Sequence, residues 1–480
     1  MSIKRSNRKR TSTHEFDVEK GEKMNQHRLF GTNGIRGVVN QDLTPEFVAK
    51  VGCAIGTFYK NAQLIVGYDG RTSNIMFAHA MMSGLTATGC SVYDAGVAPT
   101  PAIQYSVKTH KMDGGIIITA SHNPPEYNGI KVTASDGVEI PREDEIKIEN
   151  IFFKEEFALK EYDKIGQAHV LPGILGEYIK AIKTHVNVAA IQKKHYHIIA
   201  DPGNGVGGLV APYLLRDLGC KITGLNANVD GTFPNRPSEP RPENLGDLAT
   251  TVKTLGADFG VAYDGDADRA IFVDETGEVH PGDQTFALVE KFFLKEHKGE
   301  TIVTPVSSSF VVKEIADTYG AKVVWTKVGS TTVSMMMKKL KTKLGGEENG
   351  GVFYGPHQPV RDGAMTTALI LDIMAKTSKK LSRLLGELPP YFIEKDKIEC
   401  PNNLKEPVLE AFANSVKNLD VDTTDGVKLL FEDKSSILIR PSGTEPIYRF
   451  YAEGKTRQRA AQLVKKYKTQ LSALIKKMEA

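Results

Sequence analysis

The chain has 480 residues, of which 40% are apolar and 25% charged. At about 150 residues per domain that is about three domains with some left over, and it excludes wholesale disorder. Sixty-one Lys and Arg against 58 Asp and Glu leave a formal charge of +3, which excludes a general electrostatic pull toward nucleic acid or an anionic membrane, so any anion must be bound locally.

Residues 1–26 read as a solvated basic extension. Lys4, Arg5, Arg8, Lys9 and Arg10 have no apolar segment beside them such as a secretory signal needs. A nucleic-acid arm is the sharper alternative, but nothing aromatic is interleaved before Phe16. The run Gly31-Thr32-Asn33-Gly34-Ile35-Arg36-Gly37 then places a glycine-flanked Arg36 that suits either an anion contact or a surface salt bridge.

Three α/β segments of similar order follow. The first has a buried strand at Leu64 to Asp69, a helix near 74–88 stopped by Gly89, a strand at Ser91 to Tyr93, a second helix, and a strand at Gly115 to Thr119 that empties into Ala120-Ser121-His122-Asn123-Pro124-Pro125. The second repeats this with His197 to Asp201, a helix near 206–218, Cys220 to Thr223, a helix near 244–254, and Phe259 to Tyr263 emptying into Asp264-Gly265-Asp266-Ala267-Asp268-Arg269. The third has Thr301 to Pro305, a helix near 309–319, Lys322 to Trp325, a helix near 331–340, and the loop Gly345-Gly346-Glu347-Glu348-Asn349-Gly350-Gly351.

Short apolar strands alternating with helices predict α/β domains with mostly parallel sheets between helices, and one design used three times lets three loops converge on a central cleft. Past residue 385 the pattern becomes a smaller α+β domain with strands at 426–431 and 436–440 and a Lys-rich helix from about 456; its polar loop is Arg440-Pro441-Ser442-Gly443-Thr444-Glu445-Pro446. The expected domains are 27–165, 166–274, 275–386 and 387–480. Cys53, Cys90, Cys220 and Cys400 form no CxxC pair, and no apolar run approaches 18 residues, so the expected compartment is the cytoplasm and no membrane partner is expected.

Three like charges at Asp264, Asp266 and Asp268 are costly unless a cation neutralises them, and oxygen ligands without His or Cys favour magnesium or another hard divalent ion; a solvated turn is the plainer alternative. An EF-hand is rejected because Arg269 stands where that loop requires Gly. A strand-end serine is by itself an ordinary turn residue, but a separate acidic loop makes Ser121, with His122 beside it, a candidate nucleophile for metal-assisted phosphoryl transfer. Arg440, Ser442, Gly443, Thr444 and Arg449 combine guanidiniums, hydroxyls and a glycine suited to cradling a phosphate. Gly203-x-Gly205-x-x-Gly208 satisfies a dinucleotide fingerprint, but Asn226 stands where an acidic ribose ligand belongs, so these glycines read as a tight strand-to-helix connection.

Taken together, the stretch Thr119 to Lys131 around Ser121, Asp264 to Arg269, Gly346-Glu-Glu-Asn-Gly350 and Arg440 to Pro446 resemble the α-D-phosphohexomutase family in order and spacing from Leu29 onward, most closely its archaeal-type phosphoglucosamine, phosphomannose and phosphoglucose mutases. The resemblance implies four domains around a central cleft, one loop from each. It implies Ser121 as the phosphoryl carrier, with Asp264, Asp266 and Asp268 holding magnesium, one ion per subunit, together with the phosphoserine oxygen. Arg36 and Lys131 match positions for acid/base and phosphate-stabilising work, and His122 is grouped with them. Arg269, Lys327, Gly329, Ser330, Glu347 and Asn349 would meet the sugar phosphate, and Arg440, Ser442, Gly443, Thr444 and Arg449 its non-reacting phosphate. Ala267 replaces the usual Gly of the metal loop, Asn349 a common Ser, and Gly351 a His proposed in relatives to help proton transfer, which leaves the acid/base assignment open.

The implied reaction interconverts hexose or hexosamine 6-phosphate and 1-phosphate through a 1,6-bisphosphate, which also serves as activator. A metal-dependent sugar-phosphate phosphatase and a non-catalytic sugar-phosphate sensor are the alternatives. The sugar is left open, as is assembly into a homo-oligomer.

Overall fold

A computed structural model describes residues 28–31, 33–442 and 445–479. The expected extension at 1–26 and the loop residues Gly443 and Thr444 lie outside the described residues. Within them the strands form four sheets.

The first sheet takes β1 (Ile35–Val38), β2 (Gln63–Tyr68), β3 (Ser91–Val97), β4 (Gly114–Ile118), β5 (Tyr127–Ala134) and β6 (Ala168–Val170) in the order β1-β5-β4-β2-β3-β6. The second takes β7 (His197–Asp201), β8 (Lys221–Gly224), β9 (Phe259–Tyr263), β10 (Ala270–Asp274) and β11 (Val279–His280) in the order β11-β10-β9-β7-β8. The third takes β12 (Thr301–Pro305), β13 (Lys322–Thr326), β14 (Leu344–Gly346) and β15 (Val352–Tyr354) in the order β13-β12-β14-β15. The fourth is antiparallel throughout: β16 (Phe392–Glu399), β17 (Asp420–Asp422), β18 (Val427–Leu430), β19 (Ser436–Pro441) and β20 (Ile447–Gly454), ordered β16-β20-β19-β18-β17.

The first three sheets are mixed, and the antiparallel strands are informative. In each, parallel strands lie at the centre, and the strand after the polar loop turns back antiparallel: β4 to β5, β9 to β10 and β14 to β15. The fourth loop likewise joins β19 to β20. All four candidate loops are therefore held at both ends by ladder hydrogen bonds. Short edge strands also reach past the expected domain limits. β6 pairs with β3 from beyond residue 165, and β11 with β10 from beyond residue 274; neither has the apolar run that would have marked it. The expected helix near 206–218 is a 3-10 turn at Val206–Leu209 followed by an α-helix at Ala211–Asp217, as Gly207-Gly208 and then Pro212 near the second start dictate.

One continuous apolar core joins the second and third units, from Ile198, Leu214, Phe259 and Phe272 through Phe286 and Ile302 to Met365 and Leu371. The helix Gly363–Thr377 is buried along most of its length within it. The first unit and the C-terminal domain have cores of their own. The C-terminal domain meets the third unit at a buried polar joint. Glu453 accepts from Ser309 Oγ (2.7 Å) and Phe310 N (2.7 Å) at the start of the helix Phe310–Thr318. Lys428 donates to the Val306 carbonyl (2.8 Å) and lies over the Trp325 ring.

Asp283 is buried beside this joint, with Oδ1 accepting from Ser309 N (3.1 Å) and Oδ2 unpartnered among the described residues. Burial, with Glu348 adding to it, raises its carboxyl to about 8. The folded chain thus holds a proton that the unfolded chain, titrating near 3.8, gives up. This contribution to stability is full below about pH 4 and is lost as pH rises through 8. The unfolding midpoint should therefore fall between pH 5 and 9 in the wild type, and fall less steeply in Asp283→Asn, as followed by scanning calorimetry.

Candidate active site

Ser121 follows β4 with a left-handed backbone, φ +51°, which a residue with a Cβ keeps only where its surroundings over-determine it. Its N–H donates to Thr119 Oγ1 (2.8 Å), and its carbonyl accepts from Arg71 Nη2 (3.0 Å). The same guanidinium donates to the carbonyls of Asn123 (2.6 Å), Pro124 (2.6 Å) and Tyr127 (2.9 Å). Arg71 Nε is fixed in turn by Asp69 Oδ2 (3.2 Å), a carboxylate that also accepts from Thr119 Oγ1 and Asn74 Nδ2, both at 2.6 Å. One buried ion pair at the end of β2 therefore shapes the whole serine loop.

The second loop has a matching strut. Arg236 donates through Nε to Asp201 Oδ2 (2.8 Å) and through Nη2 to the carbonyls of Asp201 (3.0 Å) and Tyr263 (2.8 Å), fixing the end of β9. The glycine run now has a reason that is not a dinucleotide. A Cβ on Gly205 would lie 2.7 Å from the Gly265 carbonyl, and one on Gly208 would strike the Ala227 carbonyl. Asn226 donates to Asp201 Oδ1 (3.0 Å). Ala267 takes φ +58°, so the alanine at this usual glycine position costs backbone strain of about 1–2 kcal/mol and no chemistry.

The two loops meet: Ser121 Oγ donates to Asp264 Oδ2 (2.9 Å). Asp264, Asp266 and Asp268 are all buried, with candidate ligand atoms within 4.8 Å of one another. Asp266 and Asp268 each have one oxygen tied down, and Asp264 has both engaged. Asp266 Oδ2 accepts from Lys131 Nζ (2.9 Å) and Thr100 Oγ1 (2.7 Å). Asp268 Oδ2 accepts from Arg361 Nη2 (2.5 Å) and Lys131 Nζ (3.4 Å). Asp264 Oδ1 accepts from Arg269 N (3.1 Å). Left over are Asp266 Oδ1 and Asp268 Oδ1, buried without a hydrogen-bond partner among the described residues. Buried carboxylate oxygens without partners, gathered beside a serine hydroxyl, fit a hard divalent cation.

The electrostatics agree. Burial, followed by repulsion from Asp268 and Asp266, raises Asp264 well above the usual carboxylate range. Burial would raise Asp266 too, but the attraction and hydrogen bond of Lys131 hold it below that range. Burial alone would lower Lys131, and Asp266 and Asp268 outweigh it, so the ammonium is strongly retained. Burial, with Arg269, Arg36 and Arg361 nearby, lowers His122 well below the usual imidazole value, so it is neutral at neutral pH. Burial brings Arg36 down to about 10; its Nη1 donates to Asn123 Oδ1.

In the third loop Glu347 is buried and accepts from Arg361 Nη1 (3.3 Å). Asn349 is half-buried, its Oδ1 accepting from Gly351 N of the same loop (3.1 Å). Gly329 introduces the helix Ser330–Leu340 with φ +138°, and Ser330 Oγ donates to Glu139 Oε2 (3.3 Å) in the first unit. Lys327 is exposed, and its neighbour Val328 donates through N to Asp425 Oδ2 (3.0 Å) in the C-terminal domain. Arg440 pairs with the same Asp425 oxygen (3.1 Å), Arg449 pairs with Glu445, and Lys405 braces the loop through the carbonyls of Ser442 (2.7 Å) and Glu445 (2.5 Å).

The first three loops thus close around one centre, which gathers Ser121, His122, Arg36, Lys131, the aspartates, Arg269 and Glu347. Arg440, Ser442 and Arg449 belong to a fourth loop joined to it through Asp425 and the 327–330 turn. Sequence reasoning missed Asp69, Arg71, Thr100, Arg236 and Arg361. An acidic residue closing the first strand of a repeat, as Asp69 and Asp201 do, was a usable signal for the struts. Arg361 had none.

Four family models match in chain order: phosphoglucomutase/phosphomannomutase alpha/beta/alpha domain I over residues 27–159, domain II over 176–277, domain III over 281–392, and the C-terminal domain over 397–469. The chain belongs to the phosphoglucomutase/phosphomannomutase family. It is 46% identical to a phosphoglucomutase/phosphomannomutase of Thermococcus kodakarensis over 439 residues, 90% of this chain and 96% of the other. It is 44% identical to a phosphoglucosamine/phosphogalactosamine mutase of Sulfurisphaera tokodaii over 450 residues, 92% of this chain and 98% of the other. A crystal structure of a family protein from Burkholderia thailandensis superposes with a TM-score of 0.84 at 26% identity, covering 93% of this chain and 97% of that one. Among the described residues no helix is long and apolar enough to cross a membrane.

Arg71→Lys keeps the charge but loses the planar fork that serves four carbonyls. It should lower kcat for phosphoryl transfer by about 100-fold with little change in KM, measured by steady-state kinetics on a sugar phosphate.

Proposed function

We propose that this phosphohexomutase interconverts hexose or hexosamine 6-phosphate and 1-phosphate through phosphorylated Ser121 and a sugar 1,6-bisphosphate. The observation that carries the reading is the bond from Ser121 Oγ to Asp264 inside a buried carboxylate cluster, two of whose oxygens have no hydrogen bond among the described residues. Asp264, Asp266, Asp268 and Ser121 would hold magnesium, which when bound neutralises charge on the phosphoryl oxygens.

In the forward half-reaction the bond from Ser121 Oγ to phosphorus breaks as one forms from a sugar hydroxyl oxygen, and the hydroxyl proton passes to the enzyme. His122, kept neutral, can accept it, and Arg36, still a cation at neutral pH, can donate hydrogen bonds to the phosphoryl oxygens. Lys131, held charged, stabilises the oxygens of the group in flight. Lys327, Gly329, Ser330, Glu347 and Asn349 line the turn and loop that would read sugar hydroxyls, with Arg269 at the edge of the metal loop. Arg440, Ser442, Gly443, Thr444 and Arg449 would grip the phosphate that is not reacting. The bisphosphate then turns end for end, and the other phosphate returns to Ser121.

Relatives of nearly equal identity are named for neutral hexoses in one case and hexosamines in the other, so the sugar is assigned as a class. A comparison of kcat/KM on glucosamine, glucose and mannose phosphates, with a bisphosphate activator, ranks the substrates. Mass spectrometry should find phosphate on Ser121, and Ser121→Ala should lose on the order of 10³-fold or more in kcat. An unphosphorylated Ser121, with full mutase activity in the alanine variant, would overturn the reading.

A further inference from the structure

The carboxylate cluster contains one cation for which the proposed reaction has so far given no task. Arg361 is buried, with Nη2 on Asp268 Oδ2 at 2.5 Å and Nη1 on Glu347 Oε2 at 3.3 Å. It is a direct side-chain link between the aspartate loop and the loop assigned to the sugar, beside the backbone bond from Ala270 N to the Gly350 carbonyl (3.1 Å). With the Asn33 amide turned so that both its ends are satisfied, that amide accepts from Arg361 Nη2 (3.1 Å) and donates to Glu139 (3.1 Å), which ties in the first unit as well.

The backbone under Arg361 is rigid. Arg361 bridges to Phe353 of β15. The next residue, Asp362, caps the buried helix Gly363–Thr377 through Met365 N (2.9 Å) and accepts from Tyr178 OH (2.5 Å). Gly363 N donates to the Ala267 carbonyl in the middle of the aspartate loop (3.3 Å).

Its side chain also fills a definite space. A Cβ added to Gly351 would strike Arg361 Cδ and stand 2.8 Å from Cγ. Those atoms cannot yield cheaply, because the guanidinium beyond them is held at both ends. The bare position at 351 is what lets Arg361 reach across.

We propose that Arg361 is a positioning residue: it occupies one oxygen of Asp268 so that this carboxylate offers a divalent cation a single oxygen, and it holds Glu347 in the same fork for the sugar. The first half follows from coordination chemistry. Magnesium demands near-octahedral geometry, and a carboxylate that closed on it with both oxygens would take a place that the phosphoryl group or Ser121 needs. The second half rests on the mutase reading. Burial raises the Glu347 carboxyl, and Arg361 is the first of the charges that oppose that rise.

The test uses the full-length protein and Mn2+ as the probe, bound with no sugar phosphate present and read by electron paramagnetic resonance. Arg361→Ala should weaken Mn2+ binding by about tenfold or more, and Arg361→Gln, the variant to use should alanine not fold, should do the same. Arg361→Lys, which cannot fork, should recover metal affinity only in part. Gly351→Ala should weaken Mn2+ binding in the wild-type background and change nothing further in Arg361→Ala, where the clash is gone. In turnover the Arg361 variants should raise KM for the sugar phosphate more than they lower kcat.

Mn2+ affinity within about twofold of wild type in the folded Arg361 variants, or a Gly351→Ala effect of equal size in both backgrounds, would overturn the proposal. Because metal binding is read without substrate, a wild-type protein that binds Mn2+ as described yet moves no phosphoryl group would sink the mutase reading alone.

Discussion

Three buried carboxylates within one small volume are the constraint on which the rest of the molecule depends. Two carboxylates about 4 Å apart repel by about 4 kcal/mol at an effective dielectric of 20, and Asp264, Asp266 and Asp268 make three such pairs. The chain supplies Lys131 against Asp266 and Asp268, Arg361 against Asp268, and Arg269 at 3.7 Å from Asp264 and 3.8 Å from Asp268. None of the three hydrogen-bonds Asp266 Oδ1 or Asp268 Oδ1. Hydrogen bonding is thus incomplete at two buried oxygens, which is where a divalent ion would complete it. The carboxylates hold Lys131 charged, while burial and the arginines gathered around them lower His122 against the pull of Asp266.

Such a cluster needs rigid support, because an aspartate displaced by an ångström either repels its neighbours or misses the metal. The fold meets that need by repetition. Each loop is the link of an antiparallel pair at the carboxyl end of a central strand, where open α/β sheets place their ligands. In the first two units a buried carboxylate at the end of the neighbouring strand, Asp69 or Asp201, aims an arginine at the carbonyls of the loop-bearing strand or its loop. These struts touch none of the proposed reacting atoms. They set the left-handed turn at Ser121 and the exit of β9, and so fix the distance between hydroxyl and carboxylate.

What was legible in the chain follows from what leaves a local trace. Alternating aspartates after an apolar strand are a local pattern, as is a serine between a buried strand and a double proline, and both were read correctly as loops at strand ends. The central strands were legible for the same reason: His197 to Asp201 and Phe259 to Tyr263 are uninterrupted apolar runs closed by acids. The struts left less trace, since Arg236 lies 35 residues from Asp201 and no periodicity links them. Arg361 left none. Its role arises from a side chain absent at Gly351 and from the helix start at Gly363 resting on Ala267, contacts that exist only once two units share a core. The edge strands β6 and β11 escaped notice because two or three residues carry no hydrophobic pattern.

The distribution of cores bears on how a bisphosphate could turn within this site. The aspartate loop and the Glu347 loop ride on one continuous apolar core, so they cannot separate without exposing it. The C-terminal domain has its own core and is held to the third unit by several polar contacts, among them Lys395 on Glu348 (2.5 Å) and Lys455 on Glu314 (2.8 Å). At the joint, Glu453 and Lys428 are buried and hydrogen-bonded across the boundary, where breaking one partner is costly. At the cleft, Asp425 is shared between Val328 N and Arg440. A phosphate held by Arg440, as proposed, would compete with Asp425 for that guanidinium. The carboxylates at the proposed reacting end rest on the core shared by the second and third units, so an opening at the proposed cradle would leave them in place.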